Sequence, residues 1–253
     1  MLSPARRHRL NALAAKDAAK AETEFGGVRQ DASVYQLQLT ELKNDQIVLR
    51  GIASEIERAK AKAEVIPKHM PYVNGVITSD AQIESDDVVT TIMLWCLDVG
   101  EYSEGLRIAE YALKHNLKMP DAFSRSTAAI VAEEIGNAAR IKFKAGETFD
   151  LAVLEQANNL TATFDIHDEI RAKLYLAIGR SFMQLERYEP AVRFLTLAIK
   201  RNENCGGKTD LQKAEKLLKK QLEENPPQPL FNLNGTPVVD DHGNQVYEGI
   251  SST

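Results

Sequence analysis

The 253-residue sequence contains only two cysteines, Cys96 and Cys205. Their spacing gives neither a disulfide framework nor a metal-binding pattern, and so few cysteines are typical of a reducing compartment. The sequence also lacks an apolar run of about 18 residues that could span a bilayer. Its first ten residues carry three arginines with no apolar stretch behind them, unlike a secretory signal peptide. We therefore expect a cytoplasmic protein without a membrane partner.

Motifs for catalysis are equally scarce. There is no glycine-rich phosphate loop, nucleophile elbow or Cys-x-x-Cys, and the five histidines are scattered. Residues 165–169, DIHDE, concentrate metal-ligand residue types, but they precede a predicted helix, where capping and acidic charge in the first turn explain them. Acidic residues are also adjacent at 86–87 and at 133–134. The two side chains within each pair point about 100° apart on a helix, so they would not share a metal ion. The residues alone indicate a binding protein with no catalytic or metal site and no cofactor.

Helical periodicity is what the sequence does contain. Residues 88–120 read as two amphipathic helices with a break at Gly100 and a stop at Pro120. Further helices are predicted over 124–144, 149–163, 168–184, 190–201 and 210–224. The sequence therefore predicts an all-α fold, with long N-terminal helices followed by a compact helical body.

The two hairpins at 88–120 and 168–201 correspond at an offset of 86 residues. Tyr102 matches Tyr188, and Asn116 matches Asn202. The second hairpin also fits the tetratricopeptide spacing of small and large residues. Because a free-standing solenoid needs about three repeats, we expect a compact body with tetratricopeptide-like αα-hairpins.

Charge is distributed unevenly along the chain. Residues 1–70 hold 12 Lys/Arg and 9 Asp/Glu, whereas the remainder holds 19 and 27. A helix is predicted over residues 3–20, with Pro4 at its first position. A basic arm on an acidic body predicts a local anionic partner. The predicted DNA-binding residues of this arm are Arg6, Arg7, His8, Arg9, Lys16 and Lys20.

Residues 31–65 read as one long helix with apolar positions at heptad spacing. Two interpretations have equal weight: packing on the chain's own domain, or a coiled coil between copies. The candidate oligomerisation residues are Tyr35, Leu39, Leu42, Leu49 and Ile56. The basic end of this helix, at 58–69, either extends a phosphate-binding face or is an ordinary solvated surface.

Prolines at 67 and 71, with an Asn-Gly pair at 74–75, predict the end of that helix and a boundary. The expected organisation is a basic arm at 1–30, a long heptad helix for oligomerisation at 31–70, a helical body at 71–224 and a flexible tail at 225–253. The tail could hold a small hairpin around 241–244, serve as a docking segment for a partner, or be disordered without a role.

Five short blocks add a resemblance. They are SPARRH at 3–8, PYVNGV at 71–76, MLWCLDVG at 93–100, YALK at 111–114 with MP at 119–120, and RAKL at 171–174. In this order they resemble the small terminase subunit family of temperate tailed phages, which is also labelled the terminase endonuclease subunit.

The resemblance implies a DNA-packaging role in the host cytoplasm. Such a subunit binds the packaging site on concatemeric double-stranded phage DNA and recruits the large ATPase and nuclease subunit for DNA cutting and capsid filling. Small terminase subunits generally form homo-oligomers, in agreement with the heptad pattern. Two alternatives remain: a tetratricopeptide-like adaptor that binds proteins only, and a metal-dependent endonuclease that acts by itself.

Overall fold

The computed structural model describes residues 4–25, 33–120, 125–226 and 236–238. Across these ranges the chain forms ten α-helices and no strand, and isolated bridge positions occur at Ser85, which pairs with Lys118, and at Pro237. The all-α prediction is confirmed. The helices are α1 (Pro4–Phe25), α2 (Ser33–Arg50), α3 (Glu55–Ser79), α4 (Asp87–Val99), α5 (Tyr102–Lys114), α6 (Thr127–Lys144), α7 (Leu151–Thr161), α8 (Asp168–Gln184), α9 (Tyr188–Arg201) and α10 (Lys208–Glu224).

Within the described ranges, no helix combines the length and the apolar character needed to cross a bilayer. The predicted tail hairpin lies largely outside the described residues, whereas the helix predicted over 124–144 begins at Thr127, after the N-cap residue Ser126.

Local capping fixes where several helices begin. The buried Asp86 side chain precedes α4, and its Oδ1 accepts hydrogen bonds of 3.0 Å from the backbone N–H groups of Val88 and Val89. Its other carboxylate oxygen accepts a 2.8 Å bond from the Tyr72 hydroxyl. A residue that caps α4 therefore also fastens α4 to α3.

The two predicted hairpins are present, and they turn in the same way. Gly100 (φ 86°) and Glu186 (φ 56°), 86 positions apart, both adopt the left-handed conformation after the first helix of their hairpin. In each turn the next backbone N–H donates a 2.9 Å bond to a carbonyl five residues earlier, from 101 to 96 and from 187 to 182. The correspondence found in the sequence is thus repeated in the backbone, while the likeness to tetratricopeptide repeats stays a prediction.

The prediction of one long helix over 31–65 is wrong. The helix α2 ends at Arg50, and α3 begins after Ser54, whose hydroxyl accepts a bond from the backbone N–H of Glu57. The Arg58 guanidinium donates bonds of 2.7 and 3.0 Å to the Ile52 carbonyl in the connection. Gly51 weakens helix continuation by about 1 kcal/mol, and the serine cap starts a new helix.

The predicted end of this segment is wrong as well. Pro67 and Pro71 both lie inside α3, which continues to Ser79. Each internal proline costs about 3 kcal/mol in an isolated helix. However, Tyr72, Val73 and Val76 beyond them are at most 1% exposed, and burying each contributes roughly 1.5–3 kcal/mol. Tertiary packing therefore outweighs the prolines, and the predicted boundary near residue 71 falls in mid-helix.

The helix α3 occupies the centre of the N-terminal half and packs against α1, α2, α4 and α5. The C-terminal half is built from α6 to α10, with α8 and α9 packed most closely. That closeness depends on Gly179, because a Cβ there would lie 2.7 Å from Leu195 Cγ and 3.2 Å from its backbone nitrogen.

We expect Gly179→Ala to lower the free energy of unfolding by about 1–3 kcal/mol, since the added methyl group would force α8 and α9 apart. The measurement is urea unfolding followed by circular dichroism. Gly136→Ala is the matched control. Its added carbon would meet the flexible Lys173 side chain at 3.3 Å, so stability should change by less than about 1 kcal/mol. Equal effects of the two substitutions would contradict this account of the close approach.

Candidate functional site

The first helix presents the predicted cationic residues on its surface. Leu10 packs against the core of the chain, and α1 lies along α3. The side chains of Arg6, His8, Arg9 and Lys16 are exposed, whereas those of Arg7 and Lys20 lie outside the described part. Arg6, Arg9 and Lys16 are spaced by three and seven residues, so they share one face of the helix. The structure therefore gives the predicted arm a defined orientation, with Leu10 packed on the core and exposed cationic side chains beside it on the same helix.

The basic end of α3 does not form a comparable surface. Lys60 pairs with Glu57 at 2.8 Å, Lys62 with Asp98 at 2.5 Å, and Arg58 is bonded to carbonyl groups. These cations already have partners, so the interpretation of residues 58–69 as an extended phosphate-binding face is not favoured.

The remaining basic residues of 58–69, Lys68 and His69, hold α2 against α3. Lys68 Nζ lies 2.9 Å from Asp45 Oδ2 and 3.2 Å from Glu41 Oε1. The fully buried His69 places its Nε2 atom 2.9 Å from the same Asp45 oxygen. Burial lowers the pKa of His69, and the hydrogen bond to Asp45 opposes that shift. Asp45 therefore serves as the common partner that joins the two helices.

The heptad residues of α2 pack mainly inside the same chain. Leu42 and Leu49 are 1% and 4% exposed, and Tyr35 and Leu39 pack partly buried against the same core. Of the five candidates only Ile56, at 70% exposure, projects into solvent. The structure exposes a different apolar set, which the heptad spacing missed. It consists of Leu37 (70%), Ile47 (64%) and Val48 (66%) on α2.

Three carboxylates come together between α4 and α6, at Asp98, Glu133 and Glu134. Asp98 is paired with Lys62, and Glu133 with Lys173 at 3.4 Å and with Arg125. Burial raises the pKa of Glu134, and the charges of Asp98 and Glu133 raise it further. Basic side chains thus compensate Asp98 and Glu133, and the raised pKa distinguishes the half-buried Glu134.

The acidic cluster at 165–169 is divided by the start of α8. His167 is the N-cap residue but makes no side-chain capping bond, so the predicted side-chain capping is wrong. Asp168 and Glu169 do lie in the first turn, and Asp168 pairs with Arg201 at 2.9 Å. Among the described residues, no group of three or more His, Cys, Asp and Glu side chains could hold a metal ion.

We predict that Glu134→Gln raises the melting temperature at pH 7.5. Folding raises the pKa of Glu134 above its ordinary value of 4.5. The folded chain therefore holds this proton more tightly, and stability falls as pH rises through the interval between the unfolded and folded pKa values. Glutamine keeps the shape without the charge.

The advantage of Glu134→Gln should shrink towards pH 4, below the ordinary pKa of 4.5, where the carboxyl group is mostly protonated in both states. Glu133→Gln is the control with the opposite sign, because it removes the partner of Lys173 and Arg125. Thermal unfolding across this pH range checks both, and a Glu134→Gln variant that melts below the wild-type chain at pH 7.5 would contradict the assignment.

Comparison with known proteins defines the class. The family model described as phage small terminase subunit matches residues 39–169. The matched region covers α2 from its seventh residue to the start of α8, so it includes the α2–α3 junction and the first hairpin. The chain therefore belongs to the phage small terminase subunit family, which places it in a phage DNA-packaging terminase.

Individual relatives agree with this assignment. The chain is 36% identical over 226 residues to the "Terminase, endonuclease subunit" of Escherichia phage P2, covering 89% of this chain and 90% of the relative. It is 24% identical over 152 residues to the "Probable terminase, endonuclease subunit" of Haemophilus phage HP1 (strain HP1c1), covering 60% of this chain and 54% of the relative. No solved structure matches the chain at a significant level.

Proposed function

We propose that this chain binds the packaging site on concatemeric double-stranded phage DNA and recruits the large ATPase and nuclease subunit, which cuts the DNA and fills the capsid. Membership of the small terminase subunit family supports the general role. The observation that carries the DNA-binding part is α1, which packs through Leu10 and leaves Arg6, Arg9 and Lys16 exposed.

The cationic face of α1 suits the phosphate backbone. Each phosphate neutralised by a lysine or arginine releases condensed counterions, so binding gains affinity in a salt-dependent and sequence-independent way. Contacts from one helix are few, and a single copy therefore binds weakly. Phosphate contacts fix position, and base contacts near the same helix would read the packaging site.

In a homo-oligomer α1 is present in several copies, and together they raise the affinity for DNA above that of a single chain. Linked copies bind with an effective concentration far above that of the free chain, which multiplies weak contacts. We assign the contact between copies to the exposed apolar residues Leu37, Ile47 and Val48 on α2, together with Ile56 at the start of α3. Leu42 and Leu49 contribute to the chain's own core instead.

Nucleolytic activity of the chain itself is the second candidate function, favoured by the names of both relatives. In the acidic group between α4 and α6, Asp98 is paired with Lys62, and Glu133 is paired with Lys173 and Arg125. We therefore assign cutting to the complete terminase complex. Cleavage of a duplex by the purified chain alone, lost on substitution of Asp165, Asp168 or Glu169 with the fold intact, would favour the second candidate.

We predict that replacing Arg6, Arg7 and Arg9 by alanine weakens DNA binding and flattens its salt dependence. If all three contact phosphates, the slope of log K against log salt falls by about 3. Fluorescence anisotropy with a labelled packaging-site duplex at several salt concentrations measures it.

The matched control replaces Lys216, Lys219 and Lys220 by alanine. This set removes the same charge from exposed positions on α10, and it should leave the slope within experimental error. A slope unchanged by the α1 substitutions, or reduced equally by the control, would exclude α1 as the DNA-binding element.

Assembly has its own test. Leu37→Glu with Val48→Glu places two charges on the proposed contact, and we expect the double variant to sediment as a monomer at concentrations where the wild-type chain is multimeric. The helical content should be unchanged, because both side chains are exposed. Ile141→Glu, at an equally exposed apolar position on α6 (61%), should leave the assembly intact. A wild-type chain that is monomeric at every concentration would contradict the proposal.

A further inference from the structure

A groove lies between α2, α3 and α4, with a volume of about 450 Å³. This is within the range of 300–1,000 Å³ typical of ligand sites. Its floor is apolar and includes Trp95, the only tryptophan of the chain. The other apolar lining residues are Leu39, Leu42, Leu49, Leu94 and Pro120.

Basic side chains surround this floor. Lys43, Arg50, Arg58 and Lys62 line the groove against one acidic residue, Asp87. Arg58 and Lys62 already bond to carbonyl groups and to Asp98. Lys43 and Arg50 are exposed, and within the described ranges neither forms a salt bridge. The groove thus combines apolar surface with two cations that are available to a ligand.

The end of the sequence has the complementary chemistry. Residues 221–253 contain no lysine or arginine and five acidic residues. Within 239–250, apolar and acidic residues are interspersed: Val239, Val246, Tyr247 and Ile250 with Asp240, Asp241 and Glu248. Such a segment can place apolar side chains on the partly exposed Leu39, Leu94 and Pro120 while its carboxylates meet Lys43 and Arg50. DNA could pair its phosphates with these two cations, but it has no apolar side chains that would pack on the apolar lining of the groove.

We propose that residues 239–250 bind in the groove between α2, α3 and α4, with Asp240 and Asp241 paired to Lys43 and Arg50. Residues 225–238 would span up to about 48 Å when extended, and the radius of gyration of a compact chain of this length is about 18 Å. The linker is therefore long enough to reach the groove of the same chain or of a neighbouring copy. The segment binds as an extended peptide with apolar anchors.

The experiment uses a chain that ends at Val238 and a labelled synthetic peptide of residues 236–253. Peptide binding should raise the anisotropy of the label and change the fluorescence of Trp95, which reports the groove itself. Affinity should fall as salt rises, because exposed ion pairs are screened. The full-length chain should bind the added peptide at least tenfold more weakly, since its own segment, or that of a neighbour, competes.

Exchanging the charges of the groove and the peptide distinguishes this specific contact from nonspecific binding. Lys43→Glu with Arg50→Glu should weaken the peptide about tenfold or more, and a peptide with Asp240→Lys and Asp241→Lys should regain affinity for that variant. Lys60→Glu is the matched control on an exposed lysine outside the groove lining, and it should have little effect.

Three results would overturn the proposal: no peptide binding to the truncated chain, equal binding by the truncated and full-length chains, or no rescue by the exchanged charges. A Lys43 and Arg50 variant that loses DNA affinity while peptide affinity is unchanged would also overturn it, and would assign these cations to DNA instead.

Discussion

The burial of the second half of α3 is the constraint on which the rest of the structure depends. Tyr72, Val73 and Val76 are at most 1% exposed, and their packing keeps the chain helical through Pro67 and Pro71. The result is a 25-residue helix, about 37 Å long, which is long enough for α1, α2 and α4 to pack on it. The hydroxyl of Tyr72 also holds Asp86, the residue that caps α4. A chain whose helix stopped at Pro67 would lose these contacts.

The charge distribution follows from this arrangement. Cations of α3 are used internally: Lys68 with Asp45 and Glu41, and Lys62 with Asp98. The side chains of Arg6, Arg9 and Lys16 on α1 are exposed to solvent. A chain that is acidic overall therefore has a cationic helix on its surface, and that contrast is what supports a DNA contact at α1 rather than along the body.

The elements that could be predicted are those with local signals. The helix α8 was predicted with its bounds as observed, and the α4–α5 turn follows from Gly100, which adopts the left-handed φ of 86° that glycine tolerates. The break at Gly51 was also encoded, since Ser54 and Glu57 have the spacing of a capping box. The heptad spacing hid this signal, because Leu42 and Leu49 fit a coiled coil as well as a core.

The parts that could not be predicted depend on tertiary structure. No local rule shows that buried residues beyond Pro71 outweigh two prolines, or that Asp45 meets His69 across 24 positions. The exposure of Leu37, Ile47 and Val48 depends on how α2 packs on α3, which no local sequence signal specifies. For the site, the sequence identified the cations of α1, and the structure added how the helix is docked.

Amide hydrogen exchange of the full chain, with and without a packaging-site duplex, tests the central claim most directly, because it locates the DNA contact without substitutions. The account predicts that DNA slows exchange mainly in α1, between Pro4 and Phe25, with smaller changes across the rest of the chain. Protection confined to the helical body from α4 to α10, with α1 exchanging at the same rate in both states, would contradict it.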